Sequence, residues 1–116
     1  MKRIYYLSSC STCKRILDET DAVGKGYALQ CIKKDKITPE QLDDMRKLAG
    51  SYEALFSRRS QKYGPMGLAQ KELTEEDYRA LILEEYTFLK RPVTIIGKKI
   101  FVGSEKKTVE SLKETI

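Results

Sequence analysis

The chain has no histidine and only three cysteines, Cys10, Cys13 and Cys31, and these two shortages narrow its chemistry before any motif is considered. A structural zinc site usually takes four Cys or His ligands. Three cysteines would need carboxylates or a second chain to complete one, so no metal centre is expected. Without imidazole, Cys-His hydrolysis and histidine general-base catalysis drop out. Long apolar runs are also missing: stretches such as Val93 to Ile96 fall far short of the roughly 20 residues a membrane helix needs. The apolar part of the N-terminal stretch, Ile4 to Leu7, stops at Ser8, too short for the core of a signal peptide, which predicts a cytoplasmic location. No internal repeat or low-complexity segment divides the 116 residues. They are read as one domain, 1–116, large enough to bury about two thirds of its unfolded surface without disulfide staples.

What is present is an ordinary globular composition, 41% hydrophobic and 34% charged, with a modest basic excess. Lysine and arginine outnumber acids 22 to 17, a net +5, which favours anionic partners: phosphate-like oxyanions, glutathione, an acidic protein surface or nucleic acid. The basic residues are scattered and no recognition-helix motif accompanies them, so direct nucleic-acid binding is not expected.

Along the chain, Arg3 to Leu7 reads as a buried strand bounded by Ser8-Ser9. From Ser11 the spacing changes. Cys13, Ile16 and Leu17 fall on one face with Lys14, Arg15, Asp18 and Glu19 on the other, an amphipathic helix expected to end near Val23-Gly24. Gly26 to Ile32 reads as a second strand. Thr38-Pro39-Glu40-Gln41 is a capping-box start with proline at the first helical position, for a helix through about Leu48. A short helix is predicted over Tyr52 to Phe56, and a turn over Gly64-Pro65-Met66-Gly67. Thr74 caps another helix whose apolar face is Tyr78, Leu81, Ile82, Tyr86 and Leu89, ended by Lys90-Arg91-Pro92. Val93 to Ile96 and Lys99 to Val102 flank Gly97-Lys98, a type II′ hairpin signal. A weak final helix spans Ser104 to Ile116. The order β-α-β, helices, β-β-α fits one mixed sheet with helices packed on it.

Chemistry concentrates at "LSSCSTCKRILDE", residues 7 to 19, where a C-x-x-C pair straddles the first strand-to-helix seam. In a reducing compartment such a pair is more often catalytic, redox-sensing or metal-binding than a permanent crosslink, and beside a β-α-β pattern it points to redox chemistry. A thiol must be ionised to react. Cys10, just before the helix, would face the first-turn N–H groups, where the helix dipole favours an anion; Lys14 and Arg15 would add positive potential. Cys13, one turn along, would be less exposed and within disulfide reach. The natural division of labour is attack by Cys10 and resolution by Cys13. Cys31, inside a strand-like run with no cysteine nearby, reads as a buried structural residue.

The sequence resembles the family of glutaredoxin-like proteins that includes the ArsC-type arsenate reductases and the Spx-type transcriptional regulators. The resemblance is carried by "YYLSSCSTCKRILDE", "ALFSRRSQKY" and "FLKRPVTIIGKKIFVG", in the family's order and at similar separations, and spans nearly the whole chain. It implies an α/β, thioredoxin-like (glutaredoxin-like) mixed sheet flanked by helices, with a helical insertion over about residues 38–90. It also implies that Cys10 is the nucleophile, that Arg91 binds an oxyanion substrate, and that Pro92 is a cis-proline abutting the thiol site. Arg59, with Arg58 one residue off, matches a further arginine of the middle segment; guanidinium forks suit both oxyanion recognition and support of a thiolate. The single-cysteine reductases carry another arginine after the final strand, where this chain has Val102-Gly103, and Cys13 stands where Spx-like members keep their second redox cysteine. The expected function is therefore an arsenate reductase-like thiol-disulfide oxidoreductase. It would bind no cofactor and act on a small oxyanion or thiol substrate. Glutathione or a thioredoxin- or glutaredoxin-type redox partner protein would be the external reductant. The alternative is an Spx-like redox-sensing regulator that binds the C-terminal domain of the RNA polymerase α-subunit.

Overall fold

The structure, a computed structural model, describes residues 2–116; Met1, the first residue of the expected 1–116 span, lies outside them. The chain divides into two compact units, Met1–Lys36 with Arg91–Ile116, and Ile37–Lys90.

Among the described residues, the first unit holds all the strands. β1 (Lys2–Tyr6) leads through a tight loop into α1 (Ser11–Thr20), which returns the chain to β2 (Ala28–Cys31); β3 (Val93–Ile96), β4 (Lys99–Val102) and α4 (Lys106–Thr115) complete it. The sheet order is β2-β1-β3-β4. β1 runs parallel to β2, with Tyr6 opposite Cys31, and antiparallel to β3, with Tyr5 opposite Val93. This is the mixed, thioredoxin-like sheet expected. A parallel pair needs a crossover, and α1 supplies it. Central β1 and β3 bury Ile4, Tyr5, Val93, Thr94 and Ile95, and fully burying a side chain of the size of Ile or Val contributes about 1.5–3 kcal/mol. Ile4, Ala22 and Tyr27 form a cluster to which Tyr6, Leu17, Ile96 and Ile116 add their partly buried side chains. The β3–β4 turn has φ 59° at Gly97, and Lys98 is not among the positive-φ residues, as type II′ rather than type I′ requires.

α1 stops at Thr20, short of the expected Val23-Gly24. Asp21 takes the left-handed conformation (φ 51°), its N–H donates to the Asp18 carbonyl at 3.3 Å, and the Ala22 N–H donates to the Leu17 carbonyl at 3.3 Å. These two bonds make a Schellman stop, and Ala22 and Leu17 join the same apolar cluster. An aspartate stands at the position usually held by glycine, which hid the stop from a reading of the sequence.

The second unit is helical. α2 (Pro39–Ala49) begins at a reciprocal box between Thr38 and Gln41 and ends at left-handed Gly50. Short 3-10 turns follow at Glu53–Leu55 and Leu68–Gln70. α3 (Glu75–Glu84) begins at a second box, Thr74 with Asp77. The predicted helical face through Tyr86 and Leu89 is not continuous: α3 ends at Glu84, and Tyr86–Phe88 form a separate 3-10 turn. Backbone pairing wins there. Leu89 bridges Phe56 antiparallel, Ser57 N–H donates to the Phe88 carbonyl at 2.6 Å, and Lys90 N–H donates to the Leu55 carbonyl at 2.9 Å. The buried Phe56 ring stacks on Phe88 at 5.0 Å and tilts against Tyr78 at 4.9 Å.

Candidate active site

Cys10 is the N-cap of α1, with extended backbone (φ −92°, ψ 110°) and no side-chain capping bond; no acidic residue occupies the first turn of that helix. Its own N–H donates to the Leu7 carbonyl at 3.0 Å, closing a turn that delivers the sulfur to the start of the helix. Partial burial works against ionising Cys10, but the main-chain N–H of Cys13, the Cys13 thiol, the Arg91 guanidinium and the main-chain N–H of Thr12 together outweigh it. The net result is a thiol more acidic than an ordinary cysteine. This is the helix-start stabilisation expected from the sequence. Arg91 is the cation that figures in it; Lys14 and Arg15 lie exposed on α1.

Cys13 is fully buried, and burial pushes its thiol up to about 12. The main-chain N–H of Leu7 and the charge of Arg91 act in the opposite direction, while the Cys10 sulfur adds to the rise through a hydrogen bond and through its charge. Both cysteines are free thiols. The pair is electrostatically polarised: one sulfur is prepared to carry charge, and its neighbour stays protonated and donates to it.

Arg91 is half-buried and joined to buried Pro92 by a cis peptide bond. The Pro92 carbonyl accepts from the Gly103 N–H at 2.9 Å, so the Arg91-Pro92 step is tied to the end of β4. Arg58 and Arg59 belong to the helical unit. Arg58 donates to Glu53 Oε2 at 2.9 Å and to the Tyr78 hydroxyl at 3.0 Å, and lies over the Phe56 and Tyr78 rings. Arg59 is exposed, and its main-chain N–H donates to Ser57 Oγ at 3.3 Å. Among the described residues no group of three or more Cys, Asp or Glu side chains is placed to hold a metal ion, and no helix is long and apolar enough to cross a membrane.

Cys31 departs from the reading as a buried structural residue. It is the last residue of β2 and only half-buried, because the chain turns immediately after it. Lys34 and Asp35 N–H both donate to its carbonyl, at 3.2 and 2.8 Å. The Cys31 thiol lies 3.5 Å from Ser8 Oγ. The Ser8 hydroxyl, and with it the main-chain N–H groups of Ser8, Lys34 and Lys33, brings the thiol from 9.0 down to about 7 against a smaller effect of burial. The sequence signal that would have flagged it is the parallel register, which is not readable from local spacing.

Comparison with known proteins places this geometry. The ArsC family model matches residues 5–112. Among solved structures, the arsenate reductase from Vibrio cholerae superposes with TM-score 0.80 at 16% identity, covering 99% of this chain and 97% of that one. A protein of Bacteroides fragilis gives TM-score 0.80 at 24% identity over 96% of each chain. An arsenate reductase (ArsC) related protein from Brucella melitensis gives 0.68 at 24% identity, covering 95% and 92%. Among curated proteins none matches the sequence. At these identities the structural likenesses establish the thioredoxin-like fold; the family follows from the sequence match, which takes in both Cys10 and Arg91 and nearly the whole chain between β1 and α4: the chain belongs to the ArsC family.

Proposed function

We propose that the protein is an arsenate reductase-like thiol-disulfide oxidoreductase in which Cys10 is the nucleophile and Cys13 the resolving thiol. The observation that carries this reading is the opposite polarisation of two adjacent sulfurs, with Cys10 made more acidic and Cys13 pushed up to about 12. The Cys10 thiolate attacks one sulfur of an oxidised substrate, a new S–S bond forms, and the departing sulfur leaves as a thiolate that takes a proton from solvent. Once Cys10 is in the mixed disulfide its negative charge is gone, and with it the hydrogen bond and repulsion that help hold the Cys13 proton. The Leu7 N–H and Arg91 still favour the Cys13 anion. Cys13 therefore ionises more readily at the moment it is needed, attacks Cys10 and expels the substrate thiolate, leaving a Cys10–Cys13 disulfide. Glutathione or a thioredoxin- or glutaredoxin-type protein returns the dithiol.

Arg91, whose charge already acts on both sulfurs, would hold an oxyanion beside Cys10 through its guanidinium fork, with Pro92 setting its approach. Of the further arginines that the family resemblance implies, Arg58 is paired with Glu53 and Tyr78, and Arg59 is the better candidate for binding an anion.

The test is to follow thiolate absorbance against pH in the reduced protein and in Cys10→Ser, then to oxidise the wild type and map its crosslinks by mass spectrometry. A depressed midpoint that disappears with Cys10, together with a Cys10–Cys13 crosslink, is the expected result, and turnover with arsenate and with glutathione disulfide is then assayed. An ordinary midpoint without a crosslink would overturn the reading. The regulator alternative draws on the same two thiols and makes a separate demand: a pull-down in which the C-terminal domain of the polymerase α-subunit is bound in one redox state and released in the other.

A further inference from the structure

We propose that Cys31 is a positioning residue for the Cys10 thiol, acting through Ser8. The proposal rests on Cys10 being the reactive thiol, and it starts from the way the two residues Leu7 and Ser8 bond all three cysteines. The Leu7 carbonyl accepts the Cys10 N–H at 3.0 Å, and the Leu7 N–H hydrogen-bonds the Cys13 sulfur. One residue further on, the Ser8 N–H and hydroxyl both address the Cys31 sulfur, with the oxygen 3.5 Å away. Leu7 and Ser8 open the turn that ends at Cys10, so one dipeptide is bonded both to the Cys10–Cys13 pair and to the end of β2.

This contact comes where the sheet no longer restrains the loop. The Ile32 N–H donates to the Tyr6 carbonyl at 2.9 Å, and Tyr6 opposite Cys31 is the final β1–β2 register pair. Beyond it, the chain from Leu7 to Cys10 leaves the ladder, and Cys31 grips Ser8 at that point. Cys31 is itself firmly placed: its carbonyl accepts from Lys34 and Asp35. The Gln30 side chain before it bonds the Asp35 carbonyl at 3.0 Å and receives Arg3 at 3.2 Å. The clamp thus fixes the loop whose far end sets the Cys10 sulfur against the N–H groups of Thr12 and Cys13. Such bonds weaken steeply with misalignment, so a loop released at Ser8 presents Cys10 less well. The acidity of Cys31, about 7, works in the same direction, since an ionised sulfur accepts a stronger, charge-assisted bond from Ser8.

Positioning and charge predict opposite signs, which makes the idea testable. A Cys31 thiolate acting only as a negative charge would make Cys10 less acidic, so removing it would lower the Cys10 midpoint; a clamp, once removed, raises it. The experiment is a pulse of iodoacetamide on the reduced full-length protein across pH, with Cys10 alkylation quantified by peptide mass spectrometry. The variants are Cys31→Ala, Cys31→Ser, Ser8→Ala and the Ser8→Ala/Cys31→Ala double. Expected are a rise of about half a pH unit in the Cys10 midpoint for Cys31→Ala, equivalent to about a threefold loss of rate below the midpoint, and a similar rise for Ser8→Ala. The double variant should match the singles rather than add to them, and Cys31→Ser, which keeps a hydrogen-bonding group, should stay with the wild type. An unmoved or lowered midpoint in both Cys31→Ala and Ser8→Ala overturns the inference, whatever happens to their melting temperatures. Should the wild-type Cys10 midpoint itself be ordinary, it is the underlying thiol mechanism that fails.

Discussion

α1 begins differently from α2 and α3, and the contrast shows what each start is for. Thr38 and Thr74 accept from the third N–H of their helices, at 3.1 and 3.2 Å, and Gln41 and Asp77 reach back to the threonine N–H groups. Acidic residues occupy both first turns. Those ends are closed, and each cap is worth about 1 kcal/mol. The start of α1 has Cys10 at the cap, no capping side chain and no acid in its first turn, so its N–H groups and dipole remain available to a thiolate. In α1 a side-chain cap is forgone at the end where the Cys10 thiolate would sit.

Substituting Cys10 by serine should turn the open start into a closed one. Activity is expected to vanish altogether, while the helix gains a good cap and the protein becomes more stable by about 0.5–1 kcal/mol, read as a higher denaturant midpoint. A destabilised Cys10→Ser protein would break the contrast. Cys13→Ser keeps the nucleophile and is expected to stop turnover at a trapped mixed disulfide, visible as a mass adduct on the intact protein.

Closing the α1 start with charge instead should give a graded effect. Thr12→Glu places a carboxylate in the first turn, where it competes for the helix dipole and repels the Cys10 anion; a rise of about half a pH unit in the Cys10 midpoint is expected, about threefold in rate at neutral pH. Arg91→Gln should raise the same midpoint by removing the guanidinium that now favours the anion, and should weaken oxyanion competition as well. Conversely, Thr38→Ala and Thr74→Ala should each cost about 1 kcal/mol of stability and leave the Cys10 pH profile unmoved.

The smallest effect concerns acid. Arg79 and then Tyr52 hold Asp43 down, from 3.8 to about 2. A depressed carboxyl stabilises the fold above its unfolded value and loses that contribution as pH falls through the folded one. Stability should therefore decline between pH 3.8 and about 2 in the wild type and more gently in Asp43→Asn, measured by acid-dependent melts. Asp43 is partly exposed to solvent, so the difference is expected to be slight.

Much of the fold was legible because its signals are local. Apolar spacing marked α1, β3 and β4, the Thr38-Pro39 and Thr74 starts announced α2 and α3, and Gly97-Lys98 announced the hairpin. Errors came at helix ends, one at a local stop built on an unusual residue and one where a nonlocal contact overrode the local pattern. A Schellman stop with Asp21 in the left-handed position ended α1, and pairing of Leu89 with Phe56 cut short the apolar face of α3. The Cys10–Cys13 pair was readable for the same reason as the helices, since a spacing of three on a helix is geometry in itself.

By itself, then, the sequence determined the secondary-structure order, the candidate nucleophile and resolving thiol, and the exclusion of imidazole chemistry, because each depends on residue type and short-range spacing. Only the tertiary structure decided that Arg91, far along the chain, acts on both sulfurs, and that Cys31 is a half-exposed thiol seated on Ser8. Both depend on which strands lie side by side and in what register, and burial summed over the whole unit sets those choices.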